Sequence, residues 1–211
     1  ARLGGHLSLP AGPGAIVFFA HGSGSSRFSS RNRYVAEFLR QAGLGTLLID
    51  LLTAREEVVD ARTTHLRFDI DLLAGRLLGT AEWLSRNAST RDLRIGIFGA
   101  STGAGAALVA ASKNPDLIAA VVSRGGRPDL AGPALPHVQA PTLLIVGSRD
   151  TPVITMNNDA YNLMTCERRL EIIPGATHLF EEPGTLEIAA KLARDWFTRY
   201  LAGDTRLYSS T

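Results

Sequence analysis

The chain has one cysteine, Cys166, so it can form no intramolecular disulfide, and a lone thiol builds neither a zinc knuckle nor an iron–sulfur site. Lysine is almost absent: of 22 cationic residues only Lys113 and Lys191 are lysines, and the rest are arginines. They lie along the whole chain without forming a basic stripe and leave a formal net charge of only +2, so no nucleic-acid partner is expected. No run approaches about 18 consecutive apolar residues, which excludes a membrane-spanning helix. HExxH and dense His/Asp/Glu clusters are missing, so no metal is expected. The glycines of Gly99–Gly105 lack the lysine that a phosphate-cradling GxxxxGK[ST] loop requires, and Gly22-Ser23-Gly24 does not continue as GxGxxG. No cofactor is expected. The opening Ala1-Arg2-Leu3-Gly4-Gly5 has no apolar signal-peptide core, which points to the cytoplasm; its missing methionine suits an upstream leader or domain.

What is present suits one globular domain over 1–211. Apolar residues make up 45% of the 211 and charged residues 20%, with mean hydropathy +0.07. A chain of this size buries about 70% of its unfolded surface. Apolar blocks of strand length recur at Ala15–Ala20, Gly45–Asp50, Arg94–Phe98, Ile118–Ser123, Thr142–Val146 and Arg169–Ile173, with a weaker one at His6–Leu9. The blocks are continuous rather than alternating, as in strands covered by helices on both faces of a parallel sheet. Helical periodicity fills the intervals at 32–41, 68–87, 102–113, 152–164 and 185–201. The alternation predicts an α/β fold with a mostly parallel sheet of about six to seven strands and right-handed crossovers. Gly132–Pro141 reads as a surface loop. In such a sheet, chemistry collects at the C-terminal edge of the strands.

Gly99-Ala100-Ser101-Thr102-Gly103 stands between a strand and a helix. A turn this tight admits only small residues two before and two after the serine, and it lifts the hydroxyl above the sheet beside a helix N-terminus. A neutral serine needs a base, itself oriented by a carboxylate. His178 follows the last strand and sits at the correct edge. His137 precedes a strand, His65 leads into the long helix, and His6 is near the start. His21 follows a strand, where it is better placed to brace the Gly22–Gly24 loop. Asp150 follows the strand Thr142–Val146 and lies between serine and histidine in chain order, with Asp129 and Asp159 as competitors. It also stands where it could cap the next helix. The donors for a developing oxyanion are the backbone N–H of Thr102 and that of Ser23, with Gly24 as the alternative.

These residues resemble the α/β-hydrolase fold and, within it, the dienelactone hydrolase family. The likeness rests on His21–Arg27 (HGSGSSR), Leu47–Thr53 (LLIDLLT), Gly99–Gly103 (GASTG), Gly147–Val153 (GSRDTPV) and Gly175–Gly184 (GATHLFEEPG). It implies Ser101 as nucleophile, Asp150 as acid and His178 as base. Dienelactone hydrolases proper use cysteine as nucleophile, so the serine points to a general carboxylesterase acting on small soluble esters. Arg124–Ala140 is too short for a cap domain. Arg124 and Arg127 follow a strand on the functional edge, where they read as surface arginines of an Arg-rich chain or, for one of them, as the partner of a substrate carboxylate. Glu56, Glu57, Glu181 and Glu182 read as solvated loop charges. Two alternatives share the resemblance: a thioesterase or lactonase on the same triad, and a catalytically silent module attached to a phosphoribosyltransferase-like domain.

Overall fold

A computed structural model describes residues 1–202. Seven strands form one sheet: β1 (Gly5–Ser8), β2 (Ala15–Ala20), β3 (Gly45–Ile49), β4 (Arg94–Ala100), β5 (Ile118–Arg124), β6 (Thr142–Gly147) and β7 (Arg168–Ile173). Their spatial order is β1-β3-β2-β4-β5-β6-β7, all parallel except β1, which runs antiparallel to β3 at one edge. The helices are α1 (Ser30–Gln41), α2 (Ala54–Thr63), α3 (Ile70–Arg86), α4 (Thr102–Lys113), α5 (Thr151–Leu163) and α6 (Thr185–Leu201).

Every residue of β2, β3 and β6 is buried, because helices cover both faces. Alternate residues separate into two cores. Ile16 and Phe18 pack with α3 and α4, while Val17 and Phe19 pack with α1 and α6. Small side chains at Ala104, Ala106, Ala107 and Ala110 let α4 press against the sheet centre, where it is buried almost throughout. None of the described helices is long and apolar enough to cross a membrane.

Two segments depart from the sequence reading. Helix α2 has no strong apolar stripe, since Val58 and Val59 are exposed. It is held by a capping box in which Glu56 N donates to Thr53 Oγ1 and Thr53 N to Glu56 Oε2, and by the ion pair of Glu56 with Arg76. Glu56 is therefore a structural carboxylate rather than a solvated charge. The Gly132–Pro141 stretch is not a plain surface loop. Its first half belongs to 3₁₀ turns over Pro128–His137, and Leu135, Val138 and Ala140 are buried in the α3/α4 core. The whole link from β5 to β6 is residues 125–141, and no separate cap domain is present among the described residues.

Candidate active site

Ser101 occupies the turn between β4 and α4 with φ 49° and ψ −123°, a conformation that L residues seldom adopt. The flanking glycines make this turn possible. A Cβ on Gly99 would sit 2.5 Å from Ala104 Cα, and one on Gly103 would collide with the carbonyl oxygens of Ala20 and His21. Gly22 approaches from the other side: a Cβ there would lie 3.0 Å from Ser101 Cβ and 3.8 Å from its Oγ. The serine is thus locked between two loops at the C-terminal edge of the central strands.

The acid and base arrive on loops stitched together. Ser148 N donates to Ile173 O, Arg149 N to Ala176 O at 2.9 Å, and Gly175 N to Ser148 Oγ at 2.8 Å. This seam brings His178 Nδ1 within 2.6 Å of Asp150 Oδ2. Asp150 begins α5 through its backbone, with Ile154 N donating to Asp150 O, but its side chain makes no capping bond and is committed to His178. Asp129 pairs with Arg127 and Asp159 lies within α5, so neither competes for the histidine. Nδ1 faces the carboxylate, which leaves Nε2 as the histidine's open nitrogen.

Ser101 and His178 flank the same piece of backbone. Ser101 N donates to Arg124 O at 3.4 Å, and a Cβ on the next residue, Gly125, would lie 3.6 Å from His178 Cε1. The described residues include no hydrogen bond between the serine hydroxyl and the imidazole. In unliganded hydrolases this contact is commonly long and tightens when substrate arrives.

The proposed oxyanion donors are arranged differently from expectation. Ser23 N is not open in this arrangement, because it donates to Thr102 Oγ1 at 2.9 Å. The Thr102 side chain, unremarked in the sequence, fills the position where a carbonyl oxygen would accept from Ser23. Gly24 stands beside it at φ 70°, under the Arg67 guanidinium. His21 is the brace of this loop. Its Nε2 accepts from Leu51 N at 3.1 Å and its Nδ1 donates to Gly22 O at 2.9 Å, which ties the loop to the end of β3 and requires the neutral ring.

Burial pushes the His21 pKa below its ordinary 6.5. The unfolded chain therefore takes up a proton before the folded one does, and the stability owed to neutral His21 is lost as pH falls below about 6.5. The thermal midpoint should fall between pH 7.5 and 5.5 in the wild type and fall less in His21→Gln. Equal losses in the two proteins would remove His21 as the cause.

The chain that carries this serine and this histidine–aspartate pair has matching relatives. Residues 24–210 match the model of the PETase family, described as PET hydrolase-like. The chain is an α/β-hydrolase of this family. A crystal structure of dienelactone hydrolase from Anabaena variabilis ATCC 29413 is 64% identical and superimposes with a TM-score of 0.94, over 95% of this chain and 93% of that one. The dienelactone hydrolase-like kinship and the hydrolase class read from the sequence both hold. Est1E from Butyrivibrio proteoclasticus, 15% identical with a TM-score of 0.78 over 95% of each chain, shares the fold. Two curated Mycobacterium tuberculosis proteins (strains CDC 1551 / Oshkosh and H37Rv), both named as phosphoribosyl transferases, are 58% identical over 199 residues. That match covers 94% of this hydrolase but 44% of each relative, so the chain spans less than half their length.

The two arginines of the functional edge have different fates in this hydrolase. Arg127 is held by Asp129 through two bonds of 2.8 and 2.7 Å, so its fork is already filled. Arg124 is 6% exposed and has no carboxylate partner among the described residues. Sequence reasoning also missed Glu182: it accepts from Thr177 N at 3.0 Å and so fixes the residue before the histidine. That bond holds its carboxyl below the usual range. The only sequence signal for this role was its position four residues after His178.

Proposed function

We propose that this hydrolase cleaves carboxylic esters of small molecules through an acyl-enzyme on Ser101. The observation that carries the reading is the 2.6 Å bond from His178 Nδ1 to Asp150, which directs the other imidazole nitrogen to proton transfer. In the first step Ser101 Oγ attacks the ester carbon while His178 Nε2 takes its proton. Asp150 holds the ring and stabilises the imidazolium. The carbonyl oxygen becomes negative facing Thr102 N–H, and it displaces the Thr102 hydroxyl from Ser23 N–H, with Gly24 N–H as the alternative donor. The tetrahedral intermediate collapses, the carbon–oxygen bond to the alcohol breaks, and His178 returns the proton to the leaving oxygen. Water, deprotonated by His178, then attacks the acyl carbon; the bond to Ser101 Oγ breaks, the imidazolium returns its proton to that oxygen, and the acid leaves. No step calls for a cofactor.

Among the described residues only the short link 125–141 lies between β5 and β6, which supports a serine that substrates reach without a lid. Supplied with p-nitrophenyl acetate, butyrate and laurate, a δ-lactone and an acyl thioester, the protein should turn over the short esters fastest and show no rate jump when the laurate forms emulsion droplets. Ser101→Ala should be blank throughout. A wild type inert toward every compound would overturn the enzymatic reading, and faster turnover of thioester or lactone would redirect it to those substrates on the same triad. The length of the curated relatives favours one second reading, a silent module serving an attached phosphoribosyltransferase-like domain. An inert wild type is the result that reading expects.

A further inference from the structure

Arg124 is the last residue of β5, and its backbone carbonyl accepts from the nucleophile's own amide. Its side chain turns toward the histidine loop, with the guanidinium carbon 5.4 Å from the centre of the buried Phe180 ring. Phe180 itself is held at φ 56°, a second non-glycine residue in the left-handed region beside the site. Among the described residues, Nε and Nη1 of Arg124 are buried without a hydrogen-bond partner and no carboxylate pairs with the group. The other charge felt there is a cation, Arg31 at the start of α1, which among the described residues pairs with Glu181 alone, 3.6 Å away and largely exposed. Burial, reinforced by Arg31, pulls the Arg124 pKa down to about 10, so the group is still a cation at neutral pH.

A buried, charged fork with open donors and a second cation as neighbour is a poor structural element. Charge burial without a partner is strongly unfavourable, whereas an apolar residue of similar volume is tolerated or stabilising. The Phe180 face offsets only part of that cost. Guanidinium donors in a dry site are matched by a planar or compact monoanion.

We infer that Arg124, at the end of β5, forms a binding site for a small monoanion of the carboxylate type, set against the histidine loop. The anion has two sources, a free carboxylate from solution or a carboxylate carried by the substrate. The site stands without the ester-cleavage reading; only the second source rests on it.

Two arms separate the sources. In the first, thermal midpoints are followed as sodium formate replaces sodium gluconate at constant ionic strength, for wild type and Arg124→Met. A free-anion site gives a saturable rise of several degrees in wild type and none in the variant. In the second, monomethyl succinate and methyl butyrate are compared. A substrate-borne carboxylate gives the acidic ester at least a tenfold advantage in kcat/KM, and the advantage disappears in Arg124→Met. Arg124→Gln serves both arms should the methionine variant not fold. Either positive arm supports the site and names its source. No formate response together with no acidic preference overturns it. A formate response in a protein that hydrolyses nothing leaves the site standing and removes only the ester reading.

Discussion

Replacing Asp150 by asparagine should lower kcat on small esters by about 10⁴-fold while barely moving the thermal midpoint. The loss follows from the single bond at His178 Nδ1. A carboxylate accepts there and keeps the ring proton on Nδ1, so Nε2 is free to receive the proton of Ser101. An amide that turns its NH2 toward the ring imposes the opposite tautomer and has no charge with which to stabilise the imidazolium. Stability should survive because α5 begins on the backbone of Asp150, and the seam between the two loops is made by Ser148, Arg149, Gly175 and Ala176. Steady-state kinetics and a melting curve on the same preparation decide the matter. A fall of less than about tenfold would mean that the carboxylate does not orient the base.

Ser101→Gly and Ser101→Ala should both abolish turnover, falling on the order of 10⁴-fold or more, yet differ in stability. At φ 49° and ψ −123° a Cβ is strained, and glycine alone is at ease. The glycine variant should be more stable than the alanine variant by about 1–2 kcal/mol in urea unfolding. The opposite order would show that the turn stores no strain. The serine thus works from a conformation that the rest of the fold maintains against its own preference. Gly99, Gly103 and Gly22 let three stretches of backbone close around it.

Much of this was legible in the residues themselves. Continuous apolar blocks announced a sheet buried on both faces, and β2, β3 and β6 are buried throughout. The GASTG run announced the elbow because its glycines are demanded by backbone contact. His178 and Asp150 could be chosen because each follows a strand, and strand ends in a parallel sheet share one edge. Helix α2 was not legible: its residues are polar and its valines face solvent, so its stability comes from a capping box and an ion pair to Arg76, distant in sequence. Glu182 was hidden for a related reason. A carboxylate that accepts one backbone N–H looks in sequence like any loop charge. The Ser23–Thr102 bond joins residues 79 apart, and the sequence carried no trace of it. The contrast between Arg124 and Arg127 depends on which one finds a carboxylate, and both stand in the same SRGGR run.

The central claim is that His178 activates Ser101 as a nucleophile. It is tested most directly by treating the protein with a fluorophosphonate and locating the adduct by mass spectrometry. The adduct should fall on the peptide containing Ser101 and form at a rate that collapses in His178→Ala. Modification of another serine, or of Ser101 at an undiminished rate in that variant, would contradict it.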